Sequence, residues 1–376
     1  MVFTSGTILL VTIGGIVGYG LAPDPKWATL PVALMVVGTA VMAIPAAMLM
    51  QKVGRRLGFI IGSLLGASGA FSIVSALDIS SFPLFCVAAA LIGGSISFSQ
   101  QFRFAGAESV KLEKTSFAVS FILLGSILGA TIAPELVAYS AESNPQDPYT
   151  FAFAFIIGLY FMAILALLLL RTSAPQADEE DIDEPRPLPQ LIRQPRFFVA
   201  VLAGMIGQGV MTYVMTATPI SMNISDGFSI QETSEVIRAH VIAMYLPSLV
   251  TPMIIAKFGL TRVLSMGLIA TSTTVVIGLA GHELLHYWFA LVLLGIGWNF
   301  LFVGGTTLLV QSYRNSERFK SQALNDFSVF TVSAMASLLS GSILHSFGWS
   351  FLLSSAIPAL ALMAVAIFVL SRSSSD

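Results

Sequence analysis

Three ionisable side chains lie within long apolar runs of this sequence, where each could carry a proton. Asp326 lies near the start of its run, His240 inside its run and Glu135 near the end of its run. A charge at the centre of a bilayer costs at least about 2.5–3.5 kcal/mol, so such residues are functional candidates. The alternatives are structural: Asp326 as a helix cap, His240 as a packed, hydrogen-bonded imidazole, and Glu135 as a rim residue.

A second set of candidates could bind an organic ligand. Gln208, Trp298 and Asn299 lie near the middle of apolar runs. An indole stacks on a flat or cationic ligand, and an amide both donates and accepts hydrogen bonds. The three residues therefore suit a mostly neutral organic molecule. In the alternative, the two amides hydrogen-bond across helices, for about 0.6 kcal/mol per pair, and the indole fills space.

A polar stripe marks one further run. Ser97, Gln100, Gln101 and Arg103 recur there at helical spacing. We expect this face to meet water or a ligand. The alternative for Arg103 is that its long side chain reaches the lipid headgroups.

The sequence lacks the motifs of an enzyme or a metal protein. His282 and Glu283 adjoin, but the second histidine of an H-E-x-x-H motif is missing. There is no G-x-x-x-x-G-K-[ST] motif, so ATP hydrolysis is not expected. The one cysteine, Cys86, lies in an apolar run and is expected to be a small core residue. We expect no enzymatic activity, cofactor or metal site.

The elements that must position these residues are the apolar runs themselves. Of 376 residues, 56% are hydrophobic and 10% are charged, against about 25% charged in a soluble domain. The net charge of −2 offers no basic surface for nucleic acid. A helix needs about 20 apolar residues to cross a bilayer. Twelve such runs are predicted at 3–22, 29–50, 58–77, 83–103, 116–138, 149–170, 197–220, 236–256, 263–281, 286–308, 323–345 and 348–370.

The basic residues orient these spans in the bilayer. With the N-terminus inside, 15 of the 18 Lys and Arg residues fall in cytoplasmic loops, while Lys26 and Arg238 fall outside. This bias follows the positive-inside rule. We expect an integral protein of a bacterial inner (plasma) membrane with both termini in the cytoplasm.

The longest polar stretch divides six spans from six. It contains the acidic run 178–184 and several prolines, a composition typical of a solvated linker. The predicted domains are a six-helix bundle at 1–170, a cytoplasmic linker at 171–196 and a second six-helix bundle at 197–376.

The two halves also echo each other. Gly54 and Gly259 end matching Lys-x-Gly segments 205 positions apart, and Glu113 precedes Glu317 by 204 positions. Such a repeat indicates duplicated bundles related by a pseudo-twofold axis.

The loop after the second span resembles the signature loop of the major facilitator superfamily, G-x-x-x-D-R-x-G-R-R. The matching residues are Lys52, Gly54, Arg55 and Arg56. Ala47 replaces the first glycine and Gln51 the aspartate. In that family the loop latches the two halves on the cytoplasmic side, and here Glu108 is a candidate partner for Arg55. Unlike the aspartate of the motif, Gln51 carries no charge. The interaction of such a charge with a helix end is worth about 0.3–1 kcal/mol. We therefore expect the loop to hold the two halves together more weakly.

The fifth span resembles the G-x-x-x-G-P-x-x-G-G motif of proton-coupled antiporters in the same family. Gly125 and Gly129 match, but Pro134 comes four residues late and the final glycine pair is missing. This resemblance slightly favours export.

The resemblance implies two pseudo-symmetric six-helix bundles of 12 transmembrane helices, with helices 1, 4, 7 and 10 around a central cavity. It places the substrate at Gln208, Trp298, Asn299, Gln100 and Arg103, with Tyr19 and Tyr213 as weaker candidates. The implied function is secondary active transport of a small organic molecule by a monomer, coupled to protons at Asp326, His240 or Glu135. Efflux is slightly favoured over uptake of a small metabolite. A transporter-like membrane sensor is the alternative of another class.

Overall fold

The protein, here a computed structural model, is helical through nearly all of the residues it describes, which are 2–24, 27, 30–143, 149–169 and 185–373. No β-strand occurs in these ranges. A helix satisfies its own backbone polar groups, as a bilayer requires. The predicted all-α architecture is confirmed.

Seven α-helices precede the linker within the described residues. They are α1 Val2–Leu21, α2 Leu30–Val53, α3 Arg55–Asp78, α4 Phe82–Gln100, α5 Phe102–Glu108, α6 Thr115–Ser143 and α7 Thr150–Leu169. The predicted fourth span comprises α4 and α5, which are separated only by Gln101 in a right-handed helical conformation and together form the span Phe82–Glu108. A 3-10 turn, Leu112–Lys114, leads into α6.

Eight α-helices follow in the described residues after the linker. They are α8 Leu188–Ile192, α9 Pro195–Ile220, α10 Ile230–Tyr245, α11 Thr251–Phe258, α12 Leu260–Ala280, α13 Leu284–Val310, α14 Arg318–Ser355 and α15 Ile357–Ser373. α9 ends in a π-helical turn, Ser221–Ser225. α14 consists of two helices joined at Gly348, whose φ is 78°.

The number of membrane crossings depends on how broken helices are counted. Nine helices among the described residues are long and apolar enough to cross, or ten if the bent pair α10 and α11 forms one span. One of the nine is the 58-residue segment Asn315–Arg372. At 1.5 Å per residue this segment far exceeds a bilayer core of about 30 Å, and Gly348 divides it near the predicted boundary of the last two spans. The count of twelve stays a prediction.

The chain forms two compact units. Unit 1 comprises Met1–Ala105, Gly125–Asp183 and Phe319–Phe330, and unit 2 comprises Gly106–Leu124, Glu184–Arg318 and Thr331–Asp376. The predicted bundles at 1–170 and 197–376 stay a prediction. Most of the predicted linker, from 171 to 184, lies outside the described residues.

The predicted repeat is visible in local geometry. Gly54 starts α3 at φ 84°, and Gly259 starts α12 at φ 83°. This left-handed region favours glycine, which has no Cβ. Both loops therefore need a glycine for the same turn.

Each unit also contains a close helix crossing at a glycine. In unit 1, a Cβ at Gly93 of α4 would collide with the carbonyl oxygen of Met35 in α2. In unit 2, a Cβ at Gly295 of α13 would lie 2.7 Å from the carbonyl oxygen of His240 in α10. Small residues allow such close packing of membrane helices.

Candidate functional site

The two arginines of the signature loop bind different partners in unit 1. Arg55 Nη1 donates to Gln101 Oε1 at 2.8 Å, and Nη2 donates to Gln322 Oε1 at 2.7 Å. Arg56 Nη2 donates to the carbonyl oxygen of Leu168, in the last turn of α7. A basic side chain stabilises a helix C-terminus by binding its free carbonyls.

The predicted acidic partner of Arg55 lies at the end of α5. Glu108 Oε2 lies 3.9 Å from Arg318 Nη1, and both residues belong to unit 2. The predicted pair of Arg55 with Glu108 would join residues of different units and stays a prediction. Lys52 of the same loop is exposed.

Asp326 is the centre of a buried polar cluster in unit 1. Its Oδ1 forms an ion pair with Arg103 and accepts a hydrogen bond from Asn325 Nδ2 at 3.0 Å, while its Oδ2 accepts one from Gln101 Nε2 at 2.9 Å. The side chains of Arg103 and Asp326 are 3% and 2% exposed. Gln101 also accepts from Arg55, so one amide links the loop to the ion pair.

This cluster changes the interpretation of the polar stripe on the fourth span. Ser97 is buried and donates to the carbonyl oxygen of Thr39 in α2, while Arg103 is buried against Asp326. Gln100 is partly exposed. In this structure Ser97 and Arg103 therefore face other parts of the protein, and the expectation of one face toward water or ligand stays a prediction.

His240 is buried between α10 and α13. Its Nδ1 lies 2.8 Å from the carbonyl oxygen of Leu291, and its Nε2 has no hydrogen-bond partner among the described residues. A donating Nδ1 leaves Nε2 as an acceptor. The geometry fits a packed, neutral imidazole and leaves one nitrogen for a proton. The side chains of Glu135 and Tyr19, also predicted as site residues, lie outside those that the structure describes.

Trp298 of α13 lies in an aromatic and hydroxyl cluster of unit 2. Its Nε1 donates to Gln208 Oε1 of α9 at 2.7 Å, and its ring stacks on Phe302 with centroids 4.7 Å apart. The ring of Tyr245 meets the indole edge-on at 5.7 Å. The structure thus brings together two of the three residues predicted for substrate contact.

The Gln208 amide continues into a chain of hydroxyl groups. Its Nε2 lies 3.4 Å from Thr212 Oγ1, which lies 2.8 Å from Ser333 Oγ of α14. Amide and hydroxyls can each both donate and accept. Tyr213, on the same helix, bonds Ser355 at 2.9 Å instead.

The side chain of Asn299 forms its hydrogen bonds away from the Trp298–Gln208 pair. Its amide bonds the backbone of Met244 and the side chains of Ser248 and Thr251. This geometry favours the alternative given for it, hydrogen bonding between helices. In unit 1 Ser97 makes the related bond to Thr39, which precedes Met244 by 205 positions.

Sequence reasoning missed several residues of these clusters. Gln322 lies four positions before Asp326, so a search for i, i+4 neighbours would have found it. Thr212 lies four positions after Gln208 and could have been found in the same way. Tyr245 and Ser333 gave no such signal, because only packing brings them there. No group of three or more His, Cys, Asp or Glu side chains able to hold a metal occurs among the described residues.

These features define a class: a polytopic helical membrane protein with polar clusters inside its helices. The sequence matches the model of the Major Facilitator Superfamily over residues 1–237. It is 35% identical to the riboflavin transporter RfnT of Brucella anthropi over 342 residues, covering 91% of this chain and 86% of that protein.

Solved structures agree on the fold. The E. coli fucose:proton symporter FucP superposes with a TM-score of 0.74 at 17% identity, covering 99% of this chain and 96% of that one. The proton:xylose symporter XylE gives 0.78 at 16%, covering 98% and 94%. The chain belongs to the Major Facilitator Superfamily. It is an integral membrane transporter of small molecules, not an enzyme.

Proposed function

We propose that the protein is a proton-coupled symporter that imports a flat, uncharged heteroaromatic compound of the riboflavin class. The carrying observation is the pairing of Trp298 with Gln208 in a chain that is 35% identical to a riboflavin transporter. The Trp298 cluster, defined as Trp298, Gln208, Phe302, Tyr245, Thr212 and Ser333, is the proposed substrate site.

The chemistry of a flavin fits this cluster. Its ring system is flat and stacks on an aromatic side chain, for about 0.5–1.5 kcal/mol beyond buried area. Its imide edge both donates and accepts, as the Gln208 amide does, and its hydroxylated side chain matches the hydroxyls of Thr212 and Ser333. Trp298 is 4% exposed here. Alternating access supplies a conformation in which its face is free.

Uptake is the proposed direction. The comparisons give no support to efflux, and the fifth-span motif that favoured it is incomplete. Structural relatives named as proton symporters support the alternative, coupled uptake. The Arg103–Asp326 pair is the proposed coupling element, because an ion pair that forms in one conformation and opens in another links a charge change to a conformational change.

We further propose that the protein lies in a bacterial inner membrane with both termini in the cytoplasm, and acts as a monomer. The loop charges support this orientation.

Purified protein in liposomes tests the substrate and the coupling together. Riboflavin is expected to bind, with its fluorescence quenched by the indole, and to accumulate faster when the side of entry is acidic. A protonophore should abolish accumulation. Trp298→Ala should weaken binding about two- to tenfold, whereas Trp288→Ala, a half-exposed control on the same helix, should not.

Two outcomes would contradict the proposal. Absence of both quenching and uptake would exclude the riboflavin class. Riboflavin uptake that does not depend on the proton gradient would indicate a uniporter instead of a proton-coupled symporter.

A further inference from the structure

The eighth predicted span is not one helix. α10 ends at Tyr245, a 3-10 turn Leu246–Leu249 follows, and α11 begins at Thr251 after a bend of 52°. Pro247 and Pro252 lie at this break. Proline has no N–H and clashes with the carbonyl four residues earlier, so it breaks a helix. The local sequence therefore causes the interruption.

Asn299 of α13 bridges this break with its side-chain amide. Nδ2 donates to the carbonyl oxygen of Met244 and to Ser248 Oγ, each at 2.7 Å, and Oδ1 accepts from Thr251 Oγ1 at 2.8 Å. In an uninterrupted helix the Met244 carbonyl would accept from the Ser248 N–H. One buried amide thus binds residues before, within and after the turn.

The close crossing of the two helices allows this reach. Gly295 lies one turn before Asn299, and a Cβ there would come within 2.9 Å of the Met244 backbone nitrogen. A larger residue at this position would push α10 away from α13. The amide would then no longer reach the Met244 carbonyl.

The residue next to Met244 carries an aromatic ring of the proposed substrate site. Tyr245 follows Met244 directly, and its ring meets the Trp298 indole at 5.7 Å. Trp298 in turn precedes Asn299. We infer that Asn299 is a positioning residue for transport: its bond to Met244 holds Tyr245 against Trp298, and its bonds to Ser248 and Thr251 fix the angle between α10 and α11. The link to substrate rests on the proposed function, while the hinge itself does not.

Unit 1 offers a matched control. Ser97 of α4 donates to the carbonyl oxygen of Thr39, the counterpart of Met244 by the 205-position repeat. The helix that carries Thr39, α2, is continuous over 24 residues. Ser97 therefore ties two helices without a hinge between them.

Hydrogen exchange of the purified full chain tests the hinge without any ligand. Asn299→Leu keeps the branched shape and the number of side-chain heavy atoms, and it removes all three bonds. In this variant the exchange rate of the backbone amide hydrogens is expected to rise at least tenfold within 244–252 and to change little elsewhere. Ser97→Ala should produce no such local change within α2. Unchanged protection of 244–252, or a rise spread over the whole chain, would overturn the inference.

Riboflavin transport then tests positioning. Asn299→Leu should raise KM about three- to tenfold with Vmax within twofold of the wild type, and Thr251→Val should show a smaller change of the same kind. The double variant should be no worse than Asn299→Leu, because both act through one hinge. Lower thermal stability with unchanged KM would assign Asn299 to packing alone. Failure of the wild type to bind riboflavin, with local exchange as expected, would overturn the proposed substrate and leave the hinge.

Discussion

The Arg103–Asp326 pair illustrates what burial does to single charges. Taking two ions out of water costs several kcal/mol each, and the pair recovers this only with good geometry and further hydrogen bonds. Gln101 and Asn325 supply those bonds to the carboxylate. Removing one partner alone leaves an uncompensated buried charge, at a cost of about 3–5 kcal/mol.

Substitutions of Arg103 and Asp326 can separate the role of this ion pair in proton coupling from its role in the stability of the protein. Asp326→Asn should lower thermal stability and abolish gradient-driven accumulation. The double variant Arg103→Met with Asp326→Leu should regain stability, because apolar side chains of similar volume often replace a buried pair without loss. It should still bind and exchange riboflavin without accumulating it.

Transport assays with and without a proton gradient check this expectation. Accumulation by the double variant would make the pair structural. The proton site would then be sought at His240 or Glu135.

At the scale of elements, Arg186 anchors the end of the linker to the turn Asn315–Glu317 before α14. Its backbone N, Nε and Nη2 all donate to the Glu317 carboxylate, at 2.8, 2.6 and 2.6 Å. The Arg314 backbone donates to the same group at 2.9 Å. Burial raises the pKa of Glu317, but the bonds from Arg186 and from the backbone of Arg314 outweigh it and lower the pKa to about 2.

This pKa predicts a pH-dependent contribution to stability. A carboxyl whose pKa is lowered by folding stabilises the protein above its ordinary value of 4.5, and this contribution is lost as the pH falls toward about 2. Glu317→Gln should therefore cost about 1–3 kcal/mol at pH 7, and the difference should shrink below pH 4.5.

Thermal unfolding in detergent across pH measures this difference. Glu113→Gln is the control, since Glu113 is the exposed counterpart of Glu317 in the repeat. An equal effect of the two variants, or a Glu317→Gln deficit that does not depend on pH, would contradict the role of this contact.

At the scale of the whole molecule, the orientation in the bilayer depends on loop charges. Juxtamembrane Lys and Arg residues stay in the cytoplasm, and 15 of 18 do so in the proposed topology. With twelve spans, both termini share that side.

Reporter fusions test this topology. A fusion after Arg372 should be active only with a cytoplasmic reporter, and one after His282, in a predicted outer loop, only with a periplasmic reporter. The reverse result at Arg372 would exclude both the count of twelve and the repeat assignment.

Most of the fold could be predicted from the sequence because its causes are local. Apolar run length fixes which segments cross a bilayer, whereas the break after α10 was not predicted, although Pro247 and Pro252 lie at it. The repeated glycines Gly54 and Gly259 predicted matching turns, and the structure contains both turns. The repeat and the family follow from such local patterns.

The site was less predictable because it depends on which faces meet. Asp326 and Arg103 were each singled out, for different roles, yet nothing in their spacing of 223 positions indicated an ion pair. Trp298 and Gln208 were expected to lie in one site because both are near the middle of predicted spans. Asn299, beside Trp298 in the chain, forms its hydrogen bonds with residues 244–251 instead of with Gln208 of α9, because adjacent residues on a helix lie about 100° apart. The sequence by itself determined that these polar groups lie in apolar helices, since hydrophobicity is a property of each segment. Only the tertiary structure decided their partners, because helix packing sets which side chains come within hydrogen-bonding distance.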